Sequence, residues 1–274
     1  MDKKVEIEPV ALSRSPAPHR RLVAALAGAH RRLARGGGPG TEPIWTWAMT
    51  SWLVAGLALV LVAGLADSAV IHAVRGSDDF SVRLMAWITN IGKSQWYLVP
   101  AAVIFCAIGL IDWSRGGPRA KKRLAFLFGQ AAYVFSSVAL SGLFVNVVKV
   151  LFGRARPRLI DEVGAWYFDP FTLGYLNASF PSGHSTTVGA LTGILMIWYP
   201  RWTLILIELG LFFAATRIAA EAHYPSDVMA GFLTGLFFSI VIARWLASRG
   251  VVFRFAPGKT LPVATPVSPR KSKN

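Results

Sequence analysis

A single cysteine, Cys106, stands in the 274 residues, and it lies within an apolar run. No disulfide can form within the chain, and the redox compartment leaves no mark on the sequence. Acid is scarce as well: 14 Asp and Glu face 29 Lys and Arg, for a formal net charge of +15. Such a balance ordinarily suggests nucleic acid. Here the basic residues gather in the two tails and one short loop, where the cytoplasmic flanks of a membrane protein carry them, so no nucleic-acid partner is expected. No H-E-x-x-H pair occurs to suggest a metal site on a helix. Internal repeats are missing too, which leaves an inverted-repeat transporter with little support.

What is abundant is apolar. Hydrophobic residues make up 54% of the chain, with ten Trp and seventeen Phe, more than a soluble domain usually carries. Several apolar runs reach the roughly 20 residues that cross a bilayer as a helix. The expected fold is an all-α integral membrane bundle of six transmembrane helices in one domain at 44–247. A basic tail at 1–43 precedes it and another at 248–274 follows. The spans are placed at 44–70, 96–111, 124–152, 184–199, 202–219 and 228–247, with Trp45, Trp47 and Trp52 as interfacial anchors of the first. The loop at 75–94 is expected to carry a short surface helix around 82–88. In the amino tail, 20–35 reads as a basic amphipathic helix with Leu22, Leu26 and Leu33 on one side; a positive-inside tail fits equally. A cleaved signal peptide is not expected, because the apolar run begins only near Ile44 and is too long for a signal core.

Six spans place both termini on one side, together with the loop at 115–123 and the Arg201 turn. These segments hold most of the positive charge, so that side is the cytoplasm. The opposite side receives the end of the third span, the start of the fourth and the junction of the fifth and sixth. Three blocks of polar residues fall at those ends: Lys149-x6-Arg156-Pro157, Pro181-Ser182-Gly183-His184, and Arg217-x5-His223-x3-Asp227.

Each block has a chemical reading and a plainer one. Lys149 and Arg156 suit phosphate oxygens as a point charge and a bidentate fork; they equally fit a basic cluster at a membrane end, with Arg154 and Arg158 as neighbours. Ser182 suits a helix cap, and the amides around Gly183 then form an anion site beside His184, a candidate general acid. The same residues also make an ordinary cap with a surface histidine. Asp227 can hold one ring nitrogen of His223 and leave the other free to attack. Alternatively it pairs with Arg217 and Glu221 in a structural salt bridge. A metal held by two histidines and a carboxylate is not expected, because three cations surround the site. Glu208, mid-way along the fifth span, is a functional candidate by default; it is expected to be protonated or hydrogen-bonded within the bundle. Asp161, Glu162 and Asp169 either shape headgroup preference or form a solvated face.

All three blocks, in this order and at one face of a membrane, resemble the type 2 phosphatidic acid phosphatase superfamily, which also includes bacterial acid phosphatases and vanadium haloperoxidases. The family pattern is K-x6-R-P, P-S-G-H and S-R-x5-H-x3-D; the one departure is Thr216 in place of the serine. The likeness covers about 96–247. It implies that His223 attacks phosphorus to give a phosphohistidine, that Asp227 orients its ring, and that His184 protonates the leaving oxygen. Lys149, Arg156, Arg217, Ser182 and the Gly183 amide would hold the phosphoryl oxygens, with no metal or other cofactor. The implied protein is a lipid phosphatase of the bacterial inner membrane whose substrate enters from the surrounding lipid. Undecaprenyl diphosphate, phosphatidylglycerol phosphate, phosphatidate and lipid A phosphate all fit. A lipid phosphotransferase using the same site and a non-catalytic transporter or scaffold are the alternatives; haloperoxidase chemistry is set aside because it belongs to a soluble setting.

Overall fold

The computed structural model describes residues 17–34 and 42–265; the remainder of both expected tails lies outside them. The described chain is mostly helical. Helix α1 is Pro18–Ala34, α2 Trp47–Leu65, α3 Asp67–Val74, α4 Phe80–Ile88 and α5 Gln95–Leu110. Then follow α6 Pro118–Phe152, the short α7 Ile160–Val163, α8 Gly183–Trp198, α9 Thr203–Ala219 and α10 Pro225–Ser248. A two-stranded antiparallel ribbon, β1 (Phe253–Arg254) and β2 (Val263–Ala264), closes the described chain.

Local chemistry explains most boundaries. Thr46 caps α2 by accepting the Met49 amide at 3.3 Å, and Asp79 caps α4 by accepting the Ser81 amide at 2.8 Å. Pro118 opens α6, so the basic run expected as a loop forms its first turns. Gly153 ends α6 in the left-handed region at φ 59. A Cβ there would fall 1.7 Å from the Asp169 carbonyl oxygen, so no other residue fits.

Five stretches among the described residues are long and apolar enough to cross a membrane: Trp47–Leu65, Phe80–Leu110, Pro118–Phe152, Pro200–Ala219 and Pro225–Ser248. The fourth expected span, 184–199, corresponds to α8, which has 16 residues. At 1.5 Å per residue it is about 24 Å long, shorter than the roughly 30 Å hydrocarbon core. It is also the innermost helix, packed between α6, α9 and α10.

The first expected span is broken as well. Instead of running to residue 70 it stops at Ala66, and α3 starts afresh with Asp67 fully buried. The cause is tertiary, since Asp67 turns inward to accept hydrogen bonds from Ser226 and Arg154. A helix is present at the expected 82–88 as α4; it packs beside α9 and falls within the apolar stretch Phe80–Leu110. The amphipathic helix is present as α1, with Leu22 seated over Gly109 of α5.

Helices α8 and α10 meet backbone to backbone. A Cβ at Gly189 would come 2.0 Å from the Phe232 carbonyl oxygen, and one at Gly235 would come 1.9 Å from that of Thr186. Gly189-x3-Gly193 on α8 and Gly231-x3-Gly235 on α10 are the small-residue spacing that lets helices approach closely in a bilayer. Residues beyond 248 are more than a tail: Phe253 is buried against Tyr133 of α6, ring centroids 4.9 Å apart. At the same end, Arg244 donates to the carbonyls of Pro43, Ile44 and Thr260 at 2.6–2.8 Å. Glu208 is not in the interior. It lies exposed on the outer face of α9, because the inner face is the one carrying Gly210 and Ala214.

Candidate active site

The three sequence blocks meet at one end of the bundle. Arg156 Nη1 donates to the Ala222 carbonyl at 3.0 Å, joining the first block to the third. The Ser182 amide donates to the Asp227 carbonyl at 2.9 Å, joining the second to the third. Lys149 reaches out from the last turn of α6 to the Ala178 carbonyl at 2.6 Å.

His223 sits in the turn between α9 and α10 and is almost completely buried. Its Nδ1 faces Asp227 Oδ2 at 3.7 Å, just beyond hydrogen-bond reach, and has no other partner. Burial pushes the imidazole down to about 3, and the nearby charges of Lys149 and Arg156 act in the same direction against Asp227. The ring is therefore neutral at physiological pH. A proton on the nitrogen facing Asp227 leaves a lone pair on Nε2.

Asp227 is held from several sides. Ser179 Oγ donates to its Oδ2 at 2.5 Å and the Tyr224 amide at 3.0 Å, the latter closing the first turn of α10. Arg154 Nη1 donates to Oδ1 at 2.6 Å. The partner of Asp227 is thus Arg154, not the Arg217 and Glu221 of the plainer sequence reading. Glu221 instead accepts from Arg75 at 3.4 Å. Arg154 is 1% exposed and also binds Asp67 and Ser226, both at 2.7 Å, and the Ala165 carbonyl. Its guanidinium lies 4.3 Å from the Tyr224 ring centre and 5.0 Å from that of Trp166.

The three motif cations differ from Arg154 in one decisive respect. None of Lys149, Arg156 and Arg217 has a carboxylate partner among the described residues; their hydrogen bonds go to carbonyl and hydroxyl oxygens, and Arg156 also lies 3.9 Å from the Tyr175 ring centre. They are close enough to repel one another. Arg217 Nη1 donates to Thr89 Oγ1 at 3.0 Å, while its buried Nε has no partner. Thr216, the residue that replaces the family serine, donates to the same Thr89 oxygen at 3.1 Å.

Ser182 is fully buried and serves as the α8 cap, accepting from the Ser185 hydroxyl at 3.0 Å and, at 3.4 Å, from its amide. Gly183 and His184 follow in the first turn, where backbone amides lack helical partners and point outward. His184 is roofed by Gly92, at which a Cβ would come 3.0 Å from that of His184. The next residue, Lys93, is near enough to act on His184 electrostatically. This Thr89–Lys93 turn escaped the sequence reading, because no motif spacing links it to blocks more than fifty residues away. Of the loop acids, Asp161 accepts from Arg75 and His72, and Asp169 from Asn177. An apolar recess lined by Leu151, Phe152, Phe168 and Pro170 opens beside the end of α6 that carries Lys149.

Residues 130–250, which contain all three blocks, match the PAP2 superfamily. A lipid A 1-phosphatase from Rhizobium johnstonii is 36% identical over 176 residues, covering 62% of this chain and 70% of that protein. The chain belongs to the PAP2 superfamily. A second relative, a lipid A 1-phosphatase from Rhizobium etli, is 35% identical over 174 residues, covering 62% of this chain and 73% of its own. Among solved structures, a transmembrane PAP2-type phosphatidylglycerolphosphate phosphatase from Bacillus subtilis aligns with a TM-score of 0.41 at 20% identity, covering 81% of this chain and 94% of the other. Asp67, Thr89 and Lys93 lie outside the segment that matches the superfamily.

Proposed function

We propose that this PAP2 protein is a lipid-phosphate phosphatase of the bacterial inner membrane, with six spans, both termini cytoplasmic and the site at the outer headgroup level. One observation carries the reading: three cations without carboxylate partners surround a neutral, buried histidine. Burying unpaired cations is costly, and a phosphate dianion supplies the missing counter-charge. His223 Nε2 attacks phosphorus, and Lys149, Arg156, Arg217 and the first-turn amides of α8 take the charge that develops on the phosphoryl oxygens. His184 takes up a proton as the phosphate dianion enters and gives it to the leaving oxygen, and water then releases phosphate from the histidine. No metal ion takes part.

Because two relatives are lipid A 1-phosphatases, lipid A 1-phosphate is the first substrate to try. The apolar recess beside Lys149 suits a substrate that keeps its chains in the bilayer while the headgroup enters sideways. Purified protein should release phosphate from lipid A 1-phosphate faster than from undecaprenyl diphosphate, phosphatidylglycerol phosphate or phosphatidate. Release should survive EDTA and fall by more than about a thousandfold in His223→Ala. Full activity in that variant removes the histidine mechanism, and label recovered on a second lipid rather than as free phosphate identifies a transferase.

A further inference from the structure

We propose that Asp67 is a positioning residue for phosphoryl transfer, setting the charge that His223 meets at Asp227; this rests on the histidine mechanism above. The chain of contacts is short and buried. Asp67 Oδ2 accepts from Arg154 Nη2 at 2.7 Å and from Ser226 Oγ at 2.6 Å, and its Oδ1 accepts the Ser226 amide at 2.9 Å. The other end of the same guanidinium, Nη1, donates to Asp227 Oδ1 at 2.6 Å. Asp227 Oδ2 is thereby left facing His223. Asp67, Arg154 and Asp227 are all at most 1% exposed, and the rings of Tyr224 and Trp166 flank the guanidinium.

Charge decides what this arrangement does. Arg154 paired with Asp227 alone is neutral, and a neutral pair offers little to a cationic ring. Asp67 adds a second carboxylate, so the cluster carries one net negative charge beside the histidine. In the transfer step the Nε2 lone pair forms the N–P bond and the P–O bond to the leaving group breaks. That electron pair goes to the leaving oxygen, which takes the His184 proton. The His223 ring, still protonated on Nδ1, becomes cationic as the bond forms. The net negative charge is therefore felt more strongly in the transition state than in the resting site, which is the condition for raising turnover rather than binding. The three side chains are buried, so the charges act in a low dielectric. A purely structural role would not need ions here, since apolar residues of similar volume replace buried ion clusters at little cost.

Asp67→Asn neutralises the cluster while keeping its shape. Its kcat should fall about tenfold to a hundredfold with KM changed less than about twofold. The diagnostic protein is the double variant Asp67→Asn/Arg154→Gln, which removes one charge of each sign and restores the net negative charge at Asp227. It should recover at least about tenfold of the lost kcat, whereas a scaffolding role for Asp67 makes it worse than the single variant. Orthovanadate, which draws a bond from the attacking nitrogen, reads the same effect without any lipid. Its Kd should rise about tenfold in Asp67→Asn and return in the double variant. Unchanged vanadate affinity across the three proteins overturns the proposal. A wild type that binds vanadate in this pattern yet hydrolyses no lipid phosphate overturns only the assigned function. If Asp67→Asn does not fold, the double variant alone decides: a vanadate Kd within about threefold of wild type supports the proposal, and a loss of about tenfold or more ends it.

Discussion

His223 is a histidine made chemically useful by being denied a proton. Its pKa is lowered from the ordinary 6.5 to about 3 by burial and by the neighbouring cations. A depressed value means the folded protein favours the neutral ring. The stability this contributes is complete above about pH 6.5 and is lost as the pH falls towards 3. We therefore expect nitrogen-15 spectra of labelled histidine, assigned with His223→Gln, to show the His223 ring neutral from pH 8 down to about 4.5. A midpoint near 6.5 contradicts the burial argument. The motif residues were legible in the sequence because each block is local: spacings of three to seven positions place side chains on one turn or helix end. Arg154 was visible there only as one basic neighbour among several. Its partner Asp67 lies 87 positions away, and no local spacing encodes a pair at that distance.

At the scale of elements, apolar runs located most helices, while their exact ends depended on contacts. The chain breaks at Ala66 because Asp67 is drawn inward, and no turn residue announces it. Cap chemistry did mark the start of α8 at Ser182. The close approach of α8 and α10 fixes where Ser182 and Asp227 stand relative to each other. In Gly235→Val the new Cβ would begin 1.9 Å from the Thr186 carbonyl oxygen, so the two helices must separate. We expect a loss of about 1–3 kcal/mol, read as a lower Tm, together with reduced kcat because both helix starts shift. A Cβ added at Gly142 on α6 would meet nothing within 4 Å, so Gly142→Ala should leave kcat unchanged and stabilise the helix by about 0.5–1 kcal/mol. Equal effects of the two substitutions would show that the glycine contact does not set the site.

For the molecule as a whole, a helical bundle was readable from composition, and the expected meeting of the three blocks at one end of it is observed. The length of the innermost helix was readable too, expected at 184–199 and observed at Gly183–Trp198, because the turn at Tyr199 and Pro200 ends it. That length has a physical consequence. A helix of about 24 Å in a core of about 30 Å cannot hold both its ends at the lipid headgroups. In the six-span arrangement, either the amides at Gly183 sit several ångströms below the outer headgroup plane or the surrounding membrane thins to meet them. A lipid phosphate must then descend, or its neighbours compress, at a cost of a fraction of a kcal/mol per ångström of mismatch. Reconstituted into bilayers of graded acyl length, the protein should turn over its substrate fastest in the thinnest that keep it folded; rates independent of thickness would place the site flush with the headgroups. Membrane thickness would thus act on this protein as an effector does, tuning catalysis without occupying any pocket.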